Sequence, residues 1–376
     1  WWTLFGGGLV MVSGILLFGR IFRRYAAELG AFSPVEVVSR TYKSKSLGVL
    51  MAVIILVFLT PYLSVQLVGM GKLLQSVSGG DIGYLNGVGF IMATILFYLM
   101  FGGMRAVAYT DFIQAILIFA GIIGTVTLFV IHFFGDLGTL FAQVAAVSPQ
   151  HLAFEGTENR YTWPLVVSAI TFYGFLVISQ PQTLTRFMMA KDPKQIYYIA
   201  ALTLICLVIG YGGGTILGLG GVVIFPDLTE PNLLPGQILN SLMELHTTGL
   251  IVAGMLLLGV IAASMSTADS LLIAIGQLFT RDIARPYIEL SHGVQVKIAK
   301  VIMVVVLGSA FGLGLKPPPV MLDLASYSFT GTMILVPVIV GMVWKRRSRT
   351  GAFLAVILGE GTCLLYTSDA ADEEDS

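Results

Sequence analysis

The chain has 376 residues, of which 56% are hydrophobic and only 11% charged, against about 25% charged in ordinary soluble domains. Its 21 basic and 21 acidic residues cancel, so no basic patch needs a nucleic acid to explain it. Two cysteines, Cys206 and Cys363, both in apolar runs, exclude a disulfide framework and a zinc site.

Ten apolar runs approach or exceed the length needed to cross a bilayer, and none shows the alternation of a barrel strand. The first three are Trp1–Phe18, Leu47–Val77 and Leu85–Phe101; the fourth, Phe112–Phe134, precedes a polar connection. The fifth, Trp163–Ile178, runs into Gln180 and Pro181, and Gly174 and Pro181 mark where its backbone is expected to unwind. The sixth, Ile196–Phe225, carries a glycine-rich stretch from Gly210 to Gly221 that suits close helix packing. Leu250–Leu278, Ile298–Leu315, Val320–Trp344 and Gly351–Leu365 complete the series. An all-α polytopic membrane protein with about ten transmembrane helices is predicted.

Eighteen of the 21 Lys and Arg fall in alternate connections, and only Lys72, Arg160 and Lys316 lie on the other side. The positive-inside rule places the basic loops in the cytoplasm of a multi-pass cell-membrane protein.

The seventh span holds the most informative residues, Ala262-Ala263-Ser264-Met265-Ser266-Thr267-Ala268-Asp269-Ser270. Hydroxyls and a carboxylate at membrane depth are costly unless used. Ala263, Ser266 and Asp269 are spaced i, i+3, i+6 and share roughly one helix face. A carbonyl and two hydroxyls there offer hard oxygen ligands to a cation such as Na+. The alternative is that Ser and Thr bond back to their own helix. Asp269 lies about 9 Å along the helix from Ala263, and is read either as a second cation contact or as the partner of a basic loop residue.

The histidines are scattered, and G-x-S-x-G, H-E-x-x-H and Walker patterns are absent. The sequence therefore reads as a non-enzyme. Residues 363–376 shift abruptly to an acidic composition and resemble translated adapter sequence, so a non-native, disordered polar tail is expected there.

Two further segments join the seventh-span cluster. One is Tyr98-Leu-Met-Phe-Gly-Gly-Met-Arg-Ala-Val-Ala-Tyr-Thr-Asp-Phe-Ile-Gln114, and the other is Ser179-Gln-Pro-Gln-Thr-Leu-Thr-Arg-Phe-Met-Met-Ala-Lys191. With the Met-Ser-Thr segment, which continues to Thr280-Arg-Asp-Ile-Ala284, they resemble the sodium:solute symporter family in order and placement. That resemblance implies a LeuT-type bundle of two inverted five-helix repeats. It makes residues 1–362 a transporter domain, with 1–134 the remainder of the first repeat, its first core helix lacking. Residues 163–344 become the second repeat and 351–362 an extra helix.

The resemblance also implies roles. The Ala263 carbonyl and the Ser266 and Thr267 hydroxyls become one wall of a sodium site, and Asp111 a contact on the cytoplasmic route. Asp111 is also readable as a helix cap. Tyr173, Val177 and Gln180 map near the solute pocket and inner gate, and Tyr98 near the cytoplasmic exit. An aromatic there is equally readable as packing. The implied activity is Na+-coupled uptake of a small organic solute, with lipid as surroundings, no organic cofactor and no nucleic acid. One Na+ falling through ~100 mV yields about 2.3 kcal/mol, and a roughly tenfold gradient adds about 1.4 kcal/mol. One ion therefore suffices to concentrate a neutral solute. The rivals are a sensor built on a transporter-like membrane domain and a membrane-embedded enzyme; the latter would need a nucleophile–base pair or a metal cluster that the sequence does not offer.

Overall fold

The computed structural model describes residues 2–101, 104–156, 161–245, 247–316, 328–329, 331–344 and 347–374. Side chains are described except at 2–5, 98–101, 104–110, 177–178 and 363–374. Among the described residues every regular element is helical.

The first apolar run forms α1 (Trp2–Gly14), which passes through a π-turn at Ile15–Gly19 into α2 (Arg20–Leu29). The helix thus outruns the expected end at Phe18. Beyond it α2 is amphipathic, burying Phe22 and Ala26 while Arg20 and Arg24 face out. Gly30 ends α2 in the left-handed region at φ 59° and gives its N–H to the carbonyls of Ala26 and Ala27. Ser33 then caps α3 (Pro34–Thr41): its hydroxyl accepts the Glu36 N–H at 2.9 Å, and Glu36 accepts the Phe32 N–H at 2.8 Å.

The long apolar runs become α4 (Lys45–Val77), α5 (Tyr84–Phe101) and α6 (Met104–Phe133). A short α7 (Leu137–Val147), capped by Asp136, lies along the next connection. α8 (Trp163–Ser179) and α9 (Pro181–Met189) meet at a 45° bend. α10 (Lys194–Ile224), α11 (Leu234–Met243) and α12 (Thr247–Gln277) follow; α12 winds on as a π-helix over Leu278–Ala284. α13 (His292–Gly314), α14 (Leu335–Val343) and α15 (Arg349–Glu374) complete the described chain.

Six of these segments are each long and apolar enough to cross a membrane, and the bent α8–α9 pair makes a seventh. α5 and α15 cover two more of the ten predicted runs. The ninth, Val320–Trp344, lies partly outside the described residues, and α14 is its described portion. Leu202, Ile205, Val208, Val301, Val304 and Val305 are exposed on α10 and α13, as lipid-facing side chains should be. α15 remains helical through residues 363–374, where the acidic composition predicts disorder. No proline or glycine interrupts that stretch, and alanine and glutamate are strong helix formers.

Two seams organise the bundle, α6 along α12 and α1 along α8. Both close tightly because glycines sit in them. A β-carbon at Gly121 would lie 2.8 Å from the Leu256 Cα, and one at Gly259 3.0 Å from the Ile118 Cα. At Gly174 it would meet the Val10 side chain at 2.1 Å. Gly174 therefore serves close packing, and the helix runs through it. The backbone opens at Gln180 (φ −88°, ψ 118°), because Pro181 disfavours helical geometry in the residue before it.

Candidate functional site

The polar site lies where α6, α9 and α12 converge. α12 carries Ser266 and Ser270 one turn apart on the face toward α6, the face on which Gly259 allows the backbones to meet. The Ser266 hydroxyl donates to Asp111 Oδ1 at 2.5 Å. Asp111 Oδ2 accepts Arg186 Nη2 from α9 at 3.0 Å. The same Nη2 donates to Ser270 Oγ at 2.8 Å. Four side chains from three helices thus form one connected network.

Asp111 lies two turns inside α6, since that helix starts at Met104. The helix-cap reading is therefore not met, and the carboxylate reaches α12 through Oδ1 and α9 through Oδ2 instead. Its side chain is 22% exposed and that of Arg186 58% exposed. Such an open ion pair contributes little to stability.

Thr267 behaves differently from Ser266. Its hydroxyl donates at 2.9 Å to the Ala263 carbonyl, one turn back in α12. Two predicted cation ligands are thus adjacent, but the hydroxyl proton is committed to its own helix. Asp269 is fully buried, and neither carboxylate oxygen has a hydrogen-bond partner. Pairing with a basic loop residue is not found among the described residues. The i, i+3, i+6 stripe accordingly divides: Ser266 joins Asp111 and Asp269 does not.

A cavity of about 600 Å³ opens beside the network, lined among others by Asp111, Gln182, Arg186, Tyr198, Ser270 and Gln277. It lies toward the end of the molecule where the basic connections converge. There Arg23 Nε donates to the Ala190 carbonyl at 2.6 Å, Arg20 donates to the Tyr197 hydroxyl at 2.6 Å, and Arg281 covers the Phe32 ring. Ser33 donates at 2.5 Å to buried Asp282 of the π-helix, tying the α2–α3 turn to the end of α12. At the opposite end Lys72 pairs with Glu230 and stands over the Tyr84 ring, while Tyr84 donates to the Gly314 carbonyl at 2.6 Å. The charge asymmetry read from sequence is an asymmetry of the folded bundle.

Among the residues expected near a solute pocket, Gln180 accepts the side-chain amide of Gln182, a lining residue of this cavity, at 3.1 Å. Tyr173 on α8 is half-buried, its ring edge-on to Phe172 at 5.5 Å. Gln180 is buried at the α8–α9 bend and donates to Thr332 Oγ1 at 2.8 Å, so its amide holds the bend. The side chains of Val177 and Tyr98 fall outside the described residues, although both positions are helical. Sequence reasoning missed Thr332 and did not assign Arg186 or Ser270 to the site. Arg186 lay within the Ser179–Lys191 segment, where it read as a topology signal. For Thr332 no local signal existed.

The long apolar helices, the bend and the intramembrane polar network define a polytopic α-helical membrane protein built around a charged seam. The model of the sodium:solute symporter family matches residues 2–359. The osmoregulated proline transporter OpuE of Bacillus subtilis is 29% identical over 336 residues, 86% of this chain and 65% of that protein. The sodium/pantothenate symporter of Haemophilus influenzae is 26% identical, over 93% of this chain and 72% of that protein. A Na+-coupled sialic acid symporter, solved substrate-bound and outward-open, superposes with a TM-score of 0.70 at 17% identity, covering 91% of this chain and 71% of that one. The chain belongs to the sodium:solute symporter family, as a multi-pass protein of the cell membrane with the LeuT-like fold. It spans 65% of the length of OpuE.

Proposed function

We propose that this chain is the greater part of a secondary transporter that couples inward Na+ movement to uptake of a small organic solute by alternating access. The observation that carries this reading is the Ser266–Asp111 contact of 2.5 Å across the α6–α12 seam. A carboxylate and a hydroxyl from two packed helices supply oxygen ligands that a hard monovalent cation takes. Ala263 and Thr267 extend the oxygen set one turn along α12, and Asp269 is a further carboxylate on the same helix. In this reading Asp111, Ala263, Ser266, Thr267 and Asp269 are the cation contacts. Tyr173, Val177, Gln180 and Tyr98 line the solute route. The residues divide into a first repeat at 1–134, a second at 163–344 and an outer helix at 351–362, with the basic connections in the cytoplasm.

Relatives named for proline and pantothenate make an amino acid and a small carboxylate-bearing solute the first probes. The test is uptake of radiolabelled proline and pantothenate by a full-length version in proteoliposomes under an inward Na+ gradient, against K+ as control. Uptake of either solute under Na+ alone is expected, with Asp111→Asn reducing it while the protein still inserts. Uptake indifferent to Na+, or unaltered Na+ dependence in Asp111→Asn, would overturn the reading.

A further inference from the structure

We propose that Arg186 is a tethered cation that competes with Na+ for Asp111, so that its return to the carboxylate drives the ion out toward the basic end. This rests on the reading of Asp111 as a cation contact and adds a release device to it.

The geometry is specific. Arg186 Nη2 sits between two oxygens of the seam, 3.0 Å from Asp111 Oδ2 and 2.8 Å from Ser270 Oγ. Ser266 holds the other carboxylate oxygen at 2.5 Å. A single nitrogen thus bridges Asp111 and Ser270 and occupies one oxygen of the carboxylate that the proposed cation site uses.

Charge decides the consequence. Asp111 supplies one negative charge, and it is the one carboxylate within ion-pair distance of Arg186 among the described residues. Na+ and guanidinium on one carboxylate, side by side in a partly desolvated seam, repel each other. Either cation therefore weakens the binding of the other. An arginine keeps its charge at every physiological pH, so the competitor is always charged and only its position varies.

The fold supplies the movement. Arg186 projects from α9, the half-helix beyond the Gln180–Pro181 bend. Gln180 is fixed to Thr332 at the near end of α9, and Arg23 holds the Ala190 carbonyl at the far end. The Arg186 side chain is 58% exposed and borders the cavity of about 600 Å³, which gives it room to leave Asp111. With both ends of α9 held, a rotamer change of Arg186 exchanges guanidinium for Na+.

The experiment is equilibrium binding of radiolabelled Na+ to the purified full chain, with dissociation followed after dilution into K+. Arg186→Gln keeps hydrogen-bonding capacity and removes the charge. It should tighten Na+ binding about five- to tenfold, the low end of usual coupling between sites, and slow dissociation to match. Arg186→Lys should restore wild-type values. A merely structural role predicts weaker binding in Arg186→Gln, and that result or an unchanged affinity overturns the proposal. A second measurement needs no variant: the rate of phenylglyoxal modification at Arg186, read by mass spectrometry, should rise on adding Na+ and not K+. A rate that Na+ leaves unchanged or lowers overturns the proposal equally. Asp111→Asn separates the two layers. Wild-type Na+ affinity in that variant removes the site itself, whereas lost affinity there with no gain in Arg186→Gln removes only the competitor.

Discussion

The α6–α12 and α1–α8 seams are built alike and behave differently. Each joins two apolar helices through glycines that let the backbones approach. In the α1–α8 pair Ser13 returns its hydroxyl to the Leu9 carbonyl at 3.0 Å, and Thr171 returns its own to Val167 at 2.8 Å. In the α6–α12 pair Ser266 crosses to Asp111. A hydroxyl bonded back to its own helix is compatible with packing alone, whereas one that crosses to a carboxylate marks a site. By this criterion Thr267 stands between the two, since its hydroxyl serves the Ala263 carbonyl.

The comparison breaks first at the glycines. At Gly121 and Gly259 an added β-carbon meets backbone atoms of the facing helix, at 2.8 and 3.0 Å. Backbone cannot rotate away, so Gly121→Ala or Gly259→Ala should push α6 off α12. We expect a loss of about 1–3 kcal/mol from overpacking and loss of Na+-dependent uptake. At Gly6 of α1 the added carbon meets side-chain atoms alone, Ile170 Cδ1 at 2.6 Å and Cγ1 at 2.8 Å. Gly6→Ala should therefore cost much less and leave the sodium midpoint alone. Thermal unfolding in detergent and uptake against Na+ concentration check both halves, and equal losses at Gly6 and Gly259 would erase the distinction.

A smaller effect separates the two hydroxyls. Removing the Ser266 hydroxyl leaves Asp111 short of one donor and any bound ion short of one oxygen. A cost of about 1–2 kcal/mol corresponds to a sodium midpoint raised about five- to thirtyfold. Thr267→Ala should raise it less, because the Ala263 carbonyl it releases remains available. A larger shift for Thr267→Ala than for Ser266→Ala would reverse the ranking.

The smallest effect lies outside both seams. Asp136 accepts the Thr139 N–H at 2.8 Å as the cap of α7, and this holds its carboxyl below its ordinary value of 3.8. A lowered pKa means a contribution present above 3.8 and lost as pH falls through the depressed value. Asp136→Asn keeps a capping side chain and should remove that acid sensitivity while stability at neutral pH changes little. Hydrogen exchange at Thr139 against pH would show it, and an identical acid profile in the variant would refute it.

Much of this molecule is legible in its sequence. Apolar runs became helices because a chain in lipid must satisfy its own backbone, and the helix is the local way to do so. The break at Gln180–Pro181 followed from proline chemistry, and the motif around Asp111 pointed to the seam. Gly174 misled, because a glycine in a span reads equally as a hinge or as a contact, and only Val10 on another helix distinguishes them. The surroundings of Asp269 were not legible, because i+3 spacing fixes a face to within about 60°, which is not enough to say what that face meets.

Sequence by itself determined the class of protein, the helices, the segregation of basic loops and the presence of a polar cluster at membrane depth. These depend on composition and on interactions within a few residues of each other. Tertiary structure alone decided that Ser266, Asp111, Arg186 and Ser270 form one network, that Gln180 is fixed by Thr332, and that Asp269 stands apart. Those partners are 75 to 155 residues apart along the chain. The glycine-permitted approach of α12 to α6 brings together a carboxylate and two hydroxyls, and α9 adds a guanidinium, that no local rule relates.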